Sequence, residues 1–289
     1  MKVVGFSFIR NAVKFQYPIV EAVKSILPIC DEVIVAVGKS DDNTRELVAA
    51  IDPKVKIIDT VWNENTREGG RVLAEETDKA LQAIPADADW CVYIQGDEVM
   101  HEDGHAEAVE AMKKWKDHKE VDGLLFNYVH FFGSYEYIGA EGHWYPHEIR
   151  IVRNDKSIWS YKDAQGFRKG ENKKLQVKSL KAVIHHYGWV QTPRTMQAKF
   201  LVKDKIYHNN PKDEDNFVVR EELPYLLVKA LHKFKGKHPK VMHDRIKSVN
   251  WKFEFDVSKN KYTFKDRFKT ILGKIIGRRP FEYRNYKII

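Results

Sequence analysis

An apolar run, Trp90-Cys91-Val92-Tyr93-Ile94, opens directly onto Gln95-Gly96-Asp97-Glu98. Two adjacent carboxylates after a strand, beside a glycine that permits close approach, can hold a hard divalent cation. Such a cation clamps a diphosphate and stabilises it as a leaving group. Alone, the pair is a weak signal, since acidic residues after a strand more often cap a helix or face water. A second loop of the same kind lies earlier. Val35-Ala36-Val37-Gly38 runs into Lys39-Ser40-Asp41-Asp42-Asn43-Thr44, polar groups placed between a strand and a helix, where a nucleotide would lie.

Other residues add chemistry farther along. His185-His186 ends an apolar strand; neutral imidazole ligates Mn-type ions, and alternation sends one of the two side chains inward and the other out. Aromatic residues crowd positions 126–145, and sugar rings stack on such faces. Most are read as core, while Trp144 and Tyr145, in a loop-like Gly142-His143-Trp144-Tyr145-Pro146 context, are the candidate acceptor-binding pair. His143 and His147 are four apart, but Pro146 between them argues against a helical zinc pair.

The elements that must carry these groups alternate. Strands are expected at 2–9, 32–37, 55–59 and 90–94, and helices at 17–27, 42–51, 69–84 and 104–116. Short βα connections of this kind imply a parallel sheet covered on both faces, with ligands beyond the carboxyl ends of its strands. After residue 120 the rhythm gives way to strands at 121–132, 148–153 and 180–184. Helices are then expected at 196–207 and 223–234, so the main boundary is placed near residue 190.

The 289 residues suffice for a large core, and 43% hydrophobic with 31% charged is the balance of a soluble globular protein. No apolar stretch approaches the roughly 18–20 residues of a spanning helix. The N-terminal run reads as a strand and not a signal peptide, and Cys30 and Cys91 read as buried free thiols in a reducing compartment. Charge is uneven. Residues 229–289 hold 18 Lys and Arg against 5 Asp and Glu, while the whole chain is +8, so the first 228 residues are net negative. In this tail Phe264, Phe268, Ile271, Leu272, Ile275 and Ile276 recur at helical spacing among Lys and Arg. Such a helix can lie on an anionic membrane or dock on the body.

The chain resembles the family 2 glycosyltransferases of the GT-A fold over residues 2–190, most closely in the first hundred. The resemblance is carried by Phe8-Ile9-Arg10-Asn11, by Ser40, Asp42 and Thr44 in the second loop, by Gly69-Gly70-Arg71 through Leu81, and by Gln95-Gly96-Asp97-Glu98 in place of an Asp-x-Asp motif. It implies an α/β, Rossmann-like, mostly parallel central sheet with flanking helices over 1–190 as the nucleotide-sugar-binding and catalytic domain, followed by a helical, basic region over 191–289. It implies donor contacts from Arg10, Ser40, Asp42, Arg71, Gln95 and Asp97, and a divalent cation, Mn or Mg, held by Asp97, Glu98 and His186. The catalytic base it implies is Asp163, with Glu148 in reserve, because an attacking hydroxyl must lose its proton.

Where the family has an acidic pair the chain has Val37-Gly38, and where it has the first Asp of its metal motif the chain has Gln95. The implied activity is transfer of a sugar, with inversion, from a nucleotide-diphosphate-sugar donor to a glycan or lipid-linked acceptor in cell-surface polysaccharide or glycolipid synthesis. The expected setting is cytoplasmic, peripheral at the inner face of the membrane through the tail. A degenerate relative that binds donor without turnover is the alternative. Nucleic-acid binding through the tail ranks lower, because the body is acidic and carries no helix-turn-helix, RRM or zinc-finger pattern.

Overall fold

Alternating side chains in the first strands already divide the interior into two faces. In β1 (Val3–Ile9), Val3 and Ile9 pack on one face of the sheet while Val4 and Phe6 pack on the other. The same split separates Val33, Val35 and Val37 from Ile34 and Ala36 in β2 (Glu32–Gly38). Strands this apolar on both sides belong in the middle of a sheet covered by helices. The computed structural model, which describes residues 1–63, 66, 68–140, 144–207, 228–262, 264 and 283–289, has that arrangement.

Helix α1 (Ile19–Ile26) follows β1, α2 (Thr44–Ala49) follows β2, and β3 (Val55–Thr60) precedes α3 (Arg71–Gln82) and β4 (Trp90–Tyr93). The order β3-β2-β1-β4 is parallel throughout. Helix α1 buries Ile19, Ala22, Val23 and Ile26 against one face, and α3 buries Ala80 and Leu81 against the other.

Beyond β4 come β5 (Glu98–Met100), α4 (His105–Trp115), β6 (Gly123–Phe132), β7 (Ser134–Gly139), β8 (His147–Arg153), β9 (Ile158–Tyr161), β10 (Gly166–Lys169) and the seventeen-residue β11 (Lys173–Trp189). Here the sheet becomes mixed. Strand β8 lies antiparallel between β4 and β6, whereas β11 runs parallel to β6. This is the α/β architecture the sequence implies, here a parallel half continued by a mixed half.

The segment after residue 190 opens with α5 (Pro193–Tyr207), as expected. The helix expected over 223–234 gives way to a strand where the chain is described. Residues 223–227 lie outside the described residues, and Leu231–Lys233 forms β12, antiparallel to β7, because Leu231 is buried against an aromatic cluster that includes Phe132, Tyr137 and Phe253. After α6 (His243–Lys247), the C-terminal β13 (Tyr286–Ile288) adds parallel to β11. The described part of this region is therefore helix and strand together. The amphipathic helix read from the tail falls almost wholly outside the described residues, with Phe264 described and 93% exposed. Both cysteines are free and buried, and burial pushes the Cys91 thiol up to about 12.

Candidate active site

A cavity of about 860 Å³ opens at the carboxyl ends of β1 and β4. Its floor is Gln95, Gly96 and Asp97 with His186 and Lys199 against Asp97; Arg10, Asn11, Asp41 and Trp62 line it as well, as do His130, Trp144, Tyr145 and Trp189, and Asp163.

The lining at Arg10, Asn11 and Asp41 is stapled together by side chains. Asn11 takes a left-handed conformation, φ 53°, which asparagine tolerates better than most residues. Its N–H donates to Ser40 Oγ at 3.0 Å, and its Oδ1 accepts from the Asp41 N–H at 2.9 Å. The Ala12 N–H donates to Thr44 Oγ1 at 2.7 Å and the Lys14 N–H to Asp42 Oδ2 at 2.7 Å. Ser40 and Asp42, expected as donor contacts, are thus the residues that fix the Arg10 loop, and neither lines the cavity. Arg10 does line it, its guanidinium 5.5 Å from the Trp62 ring centre. Arg71 stands at the start of α3 with its side chain 74% exposed and does not line the cavity.

Asp97 is the centre of the floor. Its Oδ2 lies 3.6 Å from His186 Nε2 and 3.5 Å from Lys199 Nζ. Gly188 makes this approach possible, since a Cβ there would collide with both the Asp97 carboxylate and the His186 ring. Burial pushes the Asp97 pKa upward, but the His186 charge and hydrogen bond, together with Lys199, outweigh it and hold the carboxyl well below its usual range.

His186 is oriented by His130. The His130 Nε2 faces the Tyr145 carbonyl at 2.7 Å and must donate there. The other nitrogen of a neutral His130 then accepts from His186 Nδ1, 3.2 Å away, which leaves His186 Nε2 turned to Asp97. His185 points the opposite way, with its Nδ1 3.1 Å from the Tyr187 hydroxyl, and burial pushes its pKa down to about 3.

Glu98, expected as a metal ligand, is directed elsewhere. Its side chain is fully buried. Arg150 Nε donates to its Oε2 at 2.8 Å and Arg150 Nη2 to its Oε1 at 2.7 Å, while the Tyr128 hydroxyl and the Gln95 N–H complete its shell. A carboxylate so saturated has no lone pair left for a cation. Of the three expected ligands, Asp97 and His186 come together and Glu98 does not. Among the described residues no group of three or more His, Cys, Asp and Glu side chains could hold a metal ion. The donor set therefore does not fit a cation gripped by three protein ligands.

Asp163 occupies the four-residue turn between β9 and β10 and lines the cavity. Its neighbours Lys162 and Ala164 are both left-handed, φ 55° and 64°, a strained arrangement for non-glycine residues. The Tyr207 hydroxyl donates to Asp163 Oδ2 at 2.7 Å. Gly70, φ 76°, accommodates the pair, since a Cβ there would fall 2.9 Å from Asp163 Cβ and 2.8 Å from Tyr207 Cζ. Gln95 Nε2 donates to the Tyr93 hydroxyl at 3.2 Å and to the Ala164 carbonyl at 3.0 Å, so Gln95 joins the floor to this turn.

Glu148, the reserve base, is buried in β8 and does not line the cavity. Its Oε2 has no hydrogen-bond partner among the described residues. Burial first, with Glu98 adding and Arg150 opposing, pushes its pKa up to about 8.

Trp144 and Tyr145 line the cavity as expected, in contact with His130 at ring-centre distances of 5.3 and 4.3 Å. His143 lies outside the described residues. Sequence reasoning missed Trp62, His130, Trp189 and Lys199. None sits in a motif: each is a single residue in a loop, strand or helix, and only the folded sheet brings them to one place.

No protein-family model matches the chain, and no curated protein matches it. Among solved structures, S. aureus TarS shares 15% identity over 71% of this chain and 39% of that one, with a TM-score of 0.41. The TarS 1-349 structure in complex with UDP-GlcNAc shares 15% over 74% of this chain and 69% of that one, TM-score 0.40. Glucosyl-3-phosphoglycerate synthase from Mycobacterium tuberculosis, in complex with Mn2+, UDP and phosphoglyceric acid, shares 16% over 45% of this chain and 43% of that one, TM-score 0.31. The chain thus spans about two fifths of the length of the first of these proteins.

Proposed function

We propose that the chain is a glycosyltransferase that moves a sugar from a nucleotide-diphosphate-sugar to a hydroxyl of a glycan or lipid-linked acceptor. The observation that carries this reading is that one cavity is lined both by a charge-compensating floor and by a second carboxylate. The floor is Asp97, beyond the carboxyl end of β4, with His186 of β11 and Lys199 of α5 beside it; the second carboxylate is Asp163.

In the step this supports, the acceptor oxygen forms a bond to the anomeric carbon. The bond from that carbon to the diphosphate breaks, and its electron pair leaves with the nucleotide diphosphate. The acceptor proton passes to Asp163, a placement that accords with inversion. Fixed cationic groups at the departing oxygen lower the barrier because they need not reorganise as charge develops. Arg10 and Trp62 flank the part of the cavity above the β1 and β2 loops, where the nucleotide is placed. Trp144, Tyr145 and Trp189 form an aromatic wall for the acceptor sugar.

The basic tail fits a role at the inner, anionic face of a membrane in polysaccharide or glycolipid synthesis, with residues 1–190, completed by Lys199 and Tyr207 of α5, as the catalytic unit. Among the described residues no helix is long and apolar enough to cross a membrane. The test of the activity is donor turnover: release of nucleoside diphosphate from a panel of nucleotide sugars by wild type and Asp163→Asn, with Asp97→Ala as the binding control. Turnover by wild type alone supports the reading, and none with any donor speaks against it.

A further inference from the structure

Lys199 projects from α5 into the floor of the cavity. Its side chain is only 19% exposed. Its Nζ donates to the Gly188 carbonyl at 2.7 Å and lies 3.5 Å from Asp97 Oδ2. The ammonium is flanked by aromatic faces, with Nζ 4.7 Å from the Tyr17 ring centre and 5.9 Å from that of Trp189. Burying a lysine costs free energy, and the cost is offset only where the charge meets an opposite charge or an acceptor. Here the partner is the one carboxylate of the floor that is not already saturated, since Glu98 is taken by Arg150.

We propose that Lys199 is the resident cation of the donor site. Resting on the assignment of the cavity to a nucleotide-diphosphate-sugar, the inference is that its ammonium contacts the diphosphate and supplies the positive charge against which the leaving group departs. Donor binding is then independent of a divalent cation. That only two of the three expected metal ligands come together among the described residues, and that Lys199 stands beside those two, have one explanation: the charge a metal would bring is already on the chain. An ammonium is a compact point charge with three donors and binds phosphate oxygens well. Gly188 serves two ends, giving up its side chain so that Asp97 and His186 can meet and lending its carbonyl to aim the lysine.

The test is titration calorimetry of the full chain with UDP, GDP, ADP, CDP and dTDP, which share the diphosphate and differ in the base. Each is measured in excess EDTA and in Mn2+, for wild type, Lys199→Ala and Lys199→Arg. The expected result is that wild type binds at least one nucleotide with affinities in EDTA and Mn2+ that agree within about threefold, whereas Lys199→Ala loses about tenfold or more in EDTA. Lys199→Arg, which keeps the charge, retains most of the affinity and guards against a loss due to misfolding. Binding by wild type only in Mn2+, or wild-type affinity for Lys199→Ala in EDTA, overturns the inference and leaves the nucleotide assignment standing. Binding of no nucleotide under either condition overturns the assignment and the inference with it.

Discussion

Gln95 Nε2 donates to the Ala164 carbonyl at 3.0 Å, and this bond ties the loop that carries Asp97 to the turn that carries Asp163. The two carboxylates belong to distant parts of the chain, and that bond directly links the segments that carry them. Leucine at position 95 fills similar space and cannot donate. Gln95→Leu is expected to lower kcat by up to about 100-fold, the scale of a 1 Å misplacement, with a smaller change in donor affinity. Steady-state kinetics with a melting curve alongside separates this from unfolding.

Asp163→Asn keeps the Tyr207 contact available but removes the basic oxygen. A lost general base costs about 100- to 10,000-fold in kcat. Nucleotide affinity measured calorimetrically should stay near wild type, because the role proposed for the residue is toward the acceptor hydroxyl. An equal fall in affinity and rate would place Asp163 in donor binding instead.

The Glu98–Arg150 pair is structural. Both side chains are fully buried and doubly bonded to each other. Removing one partner strands a buried charge, so Glu98→Ala should destabilise the fold by about 3–5 kcal/mol in urea unfolding. A double replacement by apolar residues of similar volume should recover much of that loss, and a loss that persists in the double variant would mean that the stranded charge is not its cause.

Much of this architecture is legible in the sequence. The two-face alternation of β1, β2 and β4, the spacing of α1 and α3, and the loops at Arg10, Ser40 and Asp97 all follow from period and punctuation. The functions of individual loop residues are not legible in the same way. Ser40 and Asp42 have the composition of ligand contacts, yet they satisfy backbone N–H groups of the neighbouring loop. Glu98 sits one residue from Asp97, but the strand that begins there turns it to the opposite side, toward Arg150. No spacing rule announces Lys199, because its role depends on where α5 docks.

Glu148 gives the stability of the fold a pH signature. Its pKa rises from 4.5 in the unfolded chain to about 8 in the folded one, so between those values the folded state binds the extra proton. Its contribution is complete below the lower value and is lost as pH rises through the upper one. Asp78, pushed up to about 6 chiefly by burial, has the same sign over a narrower window. Urea midpoints taken from about pH 5 to 8.5 should therefore fall less steeply with rising pH for Glu148→Gln than for wild type. Identical slopes would remove Glu148 as the source.

The basic tail is best tested by charge, because truncation would also remove β13 from the sheet. Replacing Lys265, Arg267, Lys269, Lys274, Arg278 and Arg279 with glutamine should abolish flotation with vesicles rich in anionic lipid, and raised salt should weaken wild-type flotation. Equal flotation of both proteins would assign the tail to the body of the protein.

The most direct test of the glycosyltransferase reading is donor binding by the cavity floor. Calorimetric titration of wild type and Asp97→Ala with the panel of nucleoside diphosphates and their sugars should show one nucleotide bound at one site per chain. That affinity should fall by about tenfold or more in the variant, which takes from Lys199 and His186 the carboxylate that positions both. Circular dichroism at the assay temperature should show the variant still folded although its melting temperature is lower. Binding of none of them, or binding that Asp97→Ala leaves unchanged, would contradict the assignment.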